Sequence, residues 1–175
     1  MYVFFKSDSL QFLPLYLFVW LSRIGYSWQQ AFIFSGITAL LLLFLLLRSQ
    51  PIVDRLILAS YCFLIGGAMM FVGNIVFLQM LYGYFKQSIL QLWIVVVGLI
   101  SMLTSTKFIG IDIKDSKKIL RYSLYLLIVS FIAFFFSFLF RGSSFAGIIP
   151  FIMVKIAQLV LQKKIDVGIF AWLLL

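Results

Sequence analysis

The chain has 175 residues, of which 65% are hydrophobic and only 11% charged, and its mean hydropathy is +1.18. Soluble domains carry roughly a quarter of their residues charged, so this composition excludes one and specifies an all-α, polytopic transmembrane helix bundle of five to six helices in a single domain. The formal net charge of +9 is then read as the basic loops of a membrane topology rather than a nucleic-acid surface, and the absence of His and Glu excludes zinc hydrolysis, bis-His haem and His-based acid–base catalysis by this chain alone.

Residues 10–21 form a short apolar run containing Pro14 and Trp20. As a helix it reaches only about 18 Å, which suits an interfacial or re-entrant helix, or a thin span completed by snorkelling ends. Residues 31–47 are a clear span, entered through the interfacial aromatics Tyr26 and Trp28 and stopped by Arg48, Gln50 and Pro51. Its Leu-rich end is expected to face lipid. From Leu56 to Phe85 thirty residues pass without a formal charge, enough for a tilted span, assigned to 56–81, with a short interfacial end. Within it Ala59, Gly66 and Gly73 fall seven apart, as do Ser60, Gly67 and Asn74 beside them. Sevenfold spacing returns to nearly the same helix face, and small residues let backbones approach where lipid provides no hydrophobic drive for association. Gly66, Gly67, Gly73 and Asn74 are therefore expected to form the seam on which other helices dock.

The same spacing recurs as Gln91, Gly98 and Ser105 in the segment 89–106, and as Ser123, Ser130 and Ser137 in the Phe-rich segment 119–140. A loop, 107–118, separates these two. The last span, 143–162, contains Pro150 and Lys155, the one ionisable group deep in a span, and an apolar tail follows Lys163 and Lys164. All 5 carboxylates are Asp and lie outside the candidate spans, so no intramembrane carboxylate relay is available. The single cysteine, Cys62, cannot form an intrachain disulfide. No phosphate loop, nucleophile elbow or metal-ligand spacing appears; no enzyme activity, cofactor or nucleic-acid partner is expected.

With alternating spans, ten basic residues (Lys6, Arg48, Arg55, Lys107, Lys114, Lys117, Lys118, Arg121, Lys163, Lys164) fall on one side and three (Arg23, Lys86, Arg141) on the other. The positive-inside rule then places both termini in the cytoplasm. Lys155, Gln158 and Gln162 share one helix face, a stripe that either binds a lipid phosphate or partner or simply lets Lys155 snorkel toward the head groups. Lys114, Lys117, Lys118 and Arg121 are either topogenic charge or a cytoplasmic docking surface for anionic lipid or another membrane protein.

Phe12-Leu13-Pro14-Leu15, Phe18, Arg23, Thr38-Ala39, Arg48 and Gly67 follow one another without a gap in an order that resembles the intracellular septation protein A family of small bacterial inner-membrane proteins. The chain departs from that pattern at Gly25-Tyr26-Ser27-Trp28, where the family has an acidic residue, and in its apolar tail. The resemblance implies a non-enzymatic, multi-pass protein of the bacterial inner membrane, a scaffolding or interaction component in cell division or envelope maintenance that works through other integral membrane proteins. Two alternatives remain: a substrate-binding membrane subunit of a multipart transporter, which would need a pocket between helices, and a small accessory subunit of a large membrane complex.

Overall fold

The computed structural model describes residues 8–49, 54–105, 116–141, 143 and 145–173, with side-chain surroundings for 10–48, 54–103, 121–141, 143 and 145–161. The elements are α1 (Asp8–Gln11), α2 (Leu13–Ile24), α3 (Trp28–Ser49), α4 (Arg55–Val72), α5 (Val76–Phe85), a single 3-10 turn (Lys86–Ser88), α6 (Ile89–Ser105), α7 (Ser116–Leu139) and α8 (Phe145–Leu173). Among the described residues there is no strand, and the chain is an all-α, polytopic transmembrane bundle. Four stretches are long and apolar enough to cross a membrane: Trp28–Arg48, Arg55–Val72, Val76–Leu103 and Arg121–Leu139. Leu13–Ile24 and Phe145–Leu161 are shorter apolar helices.

Local chemistry sets the first corner. Gly25 adopts φ 99, a left-handed conformation that costs glycine nothing, and its N–H caps the end of α2 on the Leu21 carbonyl. Two residues later Ser27 and Gln30 form a reciprocal capping box: the Gln30 N–H donates to Ser27 Oγ at 3.3 Å, and the Ser27 N–H donates to Gln30 Oε1 at 3.2 Å. Helix α2 therefore turns directly into α3 and packs beside it. At its other end α2 is pinned mid-bundle, where the Tyr61 hydroxyl of α4 donates to the Gln11 carbonyl at 2.8 Å and Phe12 meets Phe151 of α8 edge-on.

The most extensive contact lies between α3 and α4. Ala31, Ser35 and Ala39, four residues apart on α3, are wholly buried, and Gly36 lies so close to Ala68 that an added Cβ would stand 2.5 Å from its methyl. On α4, a Cβ at Gly67 would fall inside the Phe32 ring, and one at Gly66 would stand 2.6 Å from the Tyr82 hydroxyl. The opposite face of α3, with Leu41, Phe44 and Leu47, is exposed, whereas Leu43 is half-buried against the core and Leu46 is buried. Gln91, Gly98, Ser123, Ser130 and Ser137 are all buried, and the Ser137 hydroxyl donates to the Ala146 carbonyl of α8.

The structure differs from the sequence expectation in the central stretch. One span over 56–81 was expected, and two helices are found, because α4 ends at Val72 with Gly73 as its C-cap. Asn74 then takes φ 48, the left-handed region that Asn tolerates better than most residues, and the turn is tied by the Gln79 side-chain amide donating to Asn74 Oδ1 at 2.7 Å. Gly73 and Asn74 are exposed and make this corner, not the docking seam expected of them. Charge alone cannot reveal the break, since Gly and Asn carry none. Helix α5 folds back so that Tyr82 donates to the Phe63 carbonyl of α4 at 2.6 Å and accepts from Trp93 Nε1 of α6 at 3.1 Å. It ends at Lys86, whose φ of 47 and ψ of −123 suit glycine and cost a side-chain-bearing residue about 1–3 kcal/mol.

Replacing Gly67 with Leu must displace the Phe32 ring, and is expected to lower unfolding free energy by about 1–3 kcal/mol. Leu41→Ala, on a side chain that is 62% exposed, should stay within about 0.5 kcal/mol of the parent. Thermal or denaturant unfolding of the two variants in one detergent compares them directly, and equal shifts would remove α4 as the organising helix.

Candidate functional site

Three of the six apolar helical segments leave space between them rather than packing. The last half of α2, the start of α8 and the α5–α6 corner surround a chamber of about 1170 Å³, floored by Phe32 of α3 and Phe63, Met70 and Phe71 of α4. That exceeds the roughly 300–1,000 Å³ of pockets that take drug-sized ligands. Its floor is an aromatic cluster with few degrees of freedom. Phe32 lies 4.5 Å from Phe18, 5.3 Å from Phe63 and 5.8 Å from Tyr82, and Phe63 stacks on Tyr82 at 5.9 Å with only 10° between planes. Such rings present apolar area without the entropy cost of ordering long side chains.

Charged and amide side chains also line the chamber. Arg23 comes from the last turn of α2, Lys86 from the strained corner after α5, and Gln79 and Gln87 are the amides. Arg23 and Lys86 are exposed, and among the described residues neither side chain has a hydrogen-bond or ion-pair partner. Leu15, Tyr16, Phe151 and Ile152 also line a second cavity of about 340 Å³ that leads along the α2–α8 seam to Phe12 and Lys155.

At Lys155 the charge is compensated. Asp54 is the N-cap of α4: its Oδ1 accepts from the Leu56 N–H at 2.8 Å. Its other oxygen accepts from Gln158 Nε2 at 3.0 Å and lies 3.6 Å from Lys155 Nζ, which also stands 5.3 Å from the centre of the Phe12 ring. Both charged side chains are only 20% exposed. Lys155 is thus held by a carboxylate and an aromatic face, with Gln158 beside it, and the arrangement ties α8 to the first turn of α4. The side chain of Gln162 lies outside the described residues. Asp54 was read as a loop carboxylate outside the spans; its one sequence signal was its place as a cap immediately before an apolar run.

Of the cytoplasmic docking residues expected from sequence, Lys114 lies outside the described residues, Lys117 and Lys118 fall on the first turn of α7 with side chains likewise outside them, and Arg121 is exposed. Gly66 and Gly67 face the chamber's own walls, Tyr82 and Phe32. Among the described residues no three His, Cys, Asp or Glu side chains come close enough to hold a metal ion.

Fold and site together define a polytopic α-helical membrane protein with a half-open apolar space among its helices, lined also by the cations Arg23 and Lys86. No family model, curated protein or solved structure matches the chain.

Residues sharing one charged network couple by about 0.5–3 kcal/mol, so Asp54→Asn and Lys155→Met should each destabilise the fold while the double variant costs less than their sum. Unfolding of the four proteins of this cycle measures the coupling. Strict additivity would mean that Lys155 merely snorkels past Asp54.

Proposed function

We propose that this chain is a non-enzymatic integral membrane protein that acts by holding an apolar or amphiphilic molecule within its helix bundle. The observation that carries the reading is the chamber: an apolar space of about 1170 Å³, lined by aromatic side chains and by a few polar groups that can fix orientation.

The proposed setting is the bacterial cytoplasmic membrane, with both termini cytoplasmic, as the distribution of basic residues and the resemblance to septation proteins suggest. In this topology the Asp54–Lys155 pair lies toward the cytoplasm, and Arg23 and Lys86 lie toward the outer side. A role in cell division or envelope maintenance fits a protein that holds a membrane-derived molecule and is attached to other membrane proteins through the basic surface of Lys114, Lys117, Lys118 and Arg121. The transporter-subunit alternative is supported by the same chamber and differs in requiring release of the guest to a partner.

Gly83 gives a direct test. It lines the chamber, and a Cβ added there meets nothing within 4 Å, so Gly83→Leu fills space without a clash and gains helix propensity. Native mass spectrometry of the full chain purified in mild detergent should show a retained amphiphile on the parent protein and sharply lower occupancy on Gly83→Leu, with the melting temperature unchanged or raised. An empty parent protein, or equal occupancy in both, removes the holding function.

A further inference from the structure

We infer that the molecule held in the chamber is an anionic lipid, with its phosphate-type headgroup between Arg23 and Lys86 and its hydrocarbon running into the α2–α8 seam. This rests on the reading of the chamber as a binding site and adds the chemical class of its occupant.

Arg141 and Lys155 have partners of their own in the structure, whereas these two have none among the described residues. Arg141, at the junction of α7 and α8, sits over the rings of Tyr84 and Phe138 at 4.9 and 4.8 Å and donates to the Tyr84 carbonyl at 3.5 Å. Lys155 has Asp54. Arg23 and Lys86 converge on one cavity from separate elements, no carboxylate lines that cavity, and among the described residues neither has a partner. Two cations at the mouth of a low-dielectric space set up a positive potential that an anion relieves. The side chain at position 86 also sits on a backbone where glycine would be free of strain, so the chain places a cation there against a conformational cost.

The apolar walls decide between a soluble anion and a lipid. A free phosphate would gain nothing from Phe18, Phe32, Phe63 and Leu90, whereas a hydrocarbon chain fills that space. Between α2 and α8 the chamber opens past the exposed side chains of Tyr16, Trp20 and Ile152, and that gap gives a lipid tail a lateral way in. A neutral lipid would satisfy the walls and leave both cations without a counter-charge.

The experiment is lipid exchange onto the delipidated full-length protein, read by native mass spectrometry, with phosphatidylglycerol and phosphatidylcholine of identical chains and with inorganic phosphate alone. The parent protein should retain phosphatidylglycerol about thirtyfold over phosphatidylcholine, as two headgroup-level basic contacts of about 1 kcal/mol each predict. Arg23→Gln with Lys86→Gln should bring the two lipids to parity, while the charge-preserving Arg23→Lys with Lys86→Arg should keep the preference. Gly83→Leu should weaken both lipids alike. Equal retention of both lipids by the parent, lost in Gly83→Leu, would leave the holding function standing and overturn the anionic assignment. A preference that survives the double Gln variant overturns it too, as does thermal stabilisation by inorganic phosphate equal to that by phosphatidylglycerol. Retention that ignores Gly83→Leu would instead overturn the chamber as the site.

Discussion

The placement of the Phe32 ring against the bare backbone of Gly67 is the contact on which the rest of the bundle depends. In lipid, helices gain little by hiding apolar surface from one another, and association relies on close packing and hydrogen bonds. The α3–α4 pair meets that condition with small residues on both sides: Ala31, Ser35, Gly36 and Ala39 face Ala68, Gly67 and the backbone at Leu64. Because Gly67 has no side chain, Phe32 can enter the seam, and once there it touches Phe18 of α2, Phe63 and Phe71 of α4 and Tyr82 of α5. One close approach between two helices therefore positions the aromatic floor of the chamber and orients two further helices around it.

Much of this was legible as pattern and little of it as geometry. The composition required a helical membrane bundle, and the sevenfold rows of Ser123, Ser130 and Ser137, and of Ser60 and Gly67, lie in the interior where that spacing would put them. The fourfold row of Ala31, Ser35 and Ala39 is equally visible in the sequence but does not follow the sevenfold spacing, because the seam on α3 repeats every four residues. The corner at Gly73 and Asn74 was missed for a different reason. Both residues were read as packing residues, and whether a small uncharged pair docks a neighbour or turns the chain depends on tertiary contacts such as Gln79 on Asn74. Asp54 and Lys155 lie 101 positions apart, and only the fold brings them together.

The bundle treats its cations in two ways, and the contrast follows from burial. Lys155 lies where its helix runs along the bundle, and an ammonium there would suffer desolvation without compensation, so a carboxylate and a ring supply it, the carboxylate itself held by the Gln158 amide. The same carboxylate caps α4, so one side chain both starts the organising helix and clamps the last one to it. Arg23 and Lys86 are exposed at a helix end and a corner, where water can hydrate them, and no internal counter-charge is needed for the fold to form. What remains there is fixed positive charge beside apolar walls.

The broken central stretch explains why there is a chamber at all. Thirty residues in one helix would extend about 45 Å, well beyond a hydrocarbon core of roughly 30 Å, and would have to tilt steeply or project from the membrane. Turning at Gly73–Asn74 solves the length problem by folding α5 back on α4, where Gly66 leaves room for the Tyr82 hydroxyl and Trp93 closes over it. A hairpin of that kind adds a helix at one end of the bundle only. There α8 begins beside Gln87 and Gln91, and the gap between α2 and α8 narrows toward the Phe12–Phe151 contact. The same corner that shortens the span also carries Lys86 to the mouth of the space it creates, so the strained residue and the cavity are two consequences of one turn.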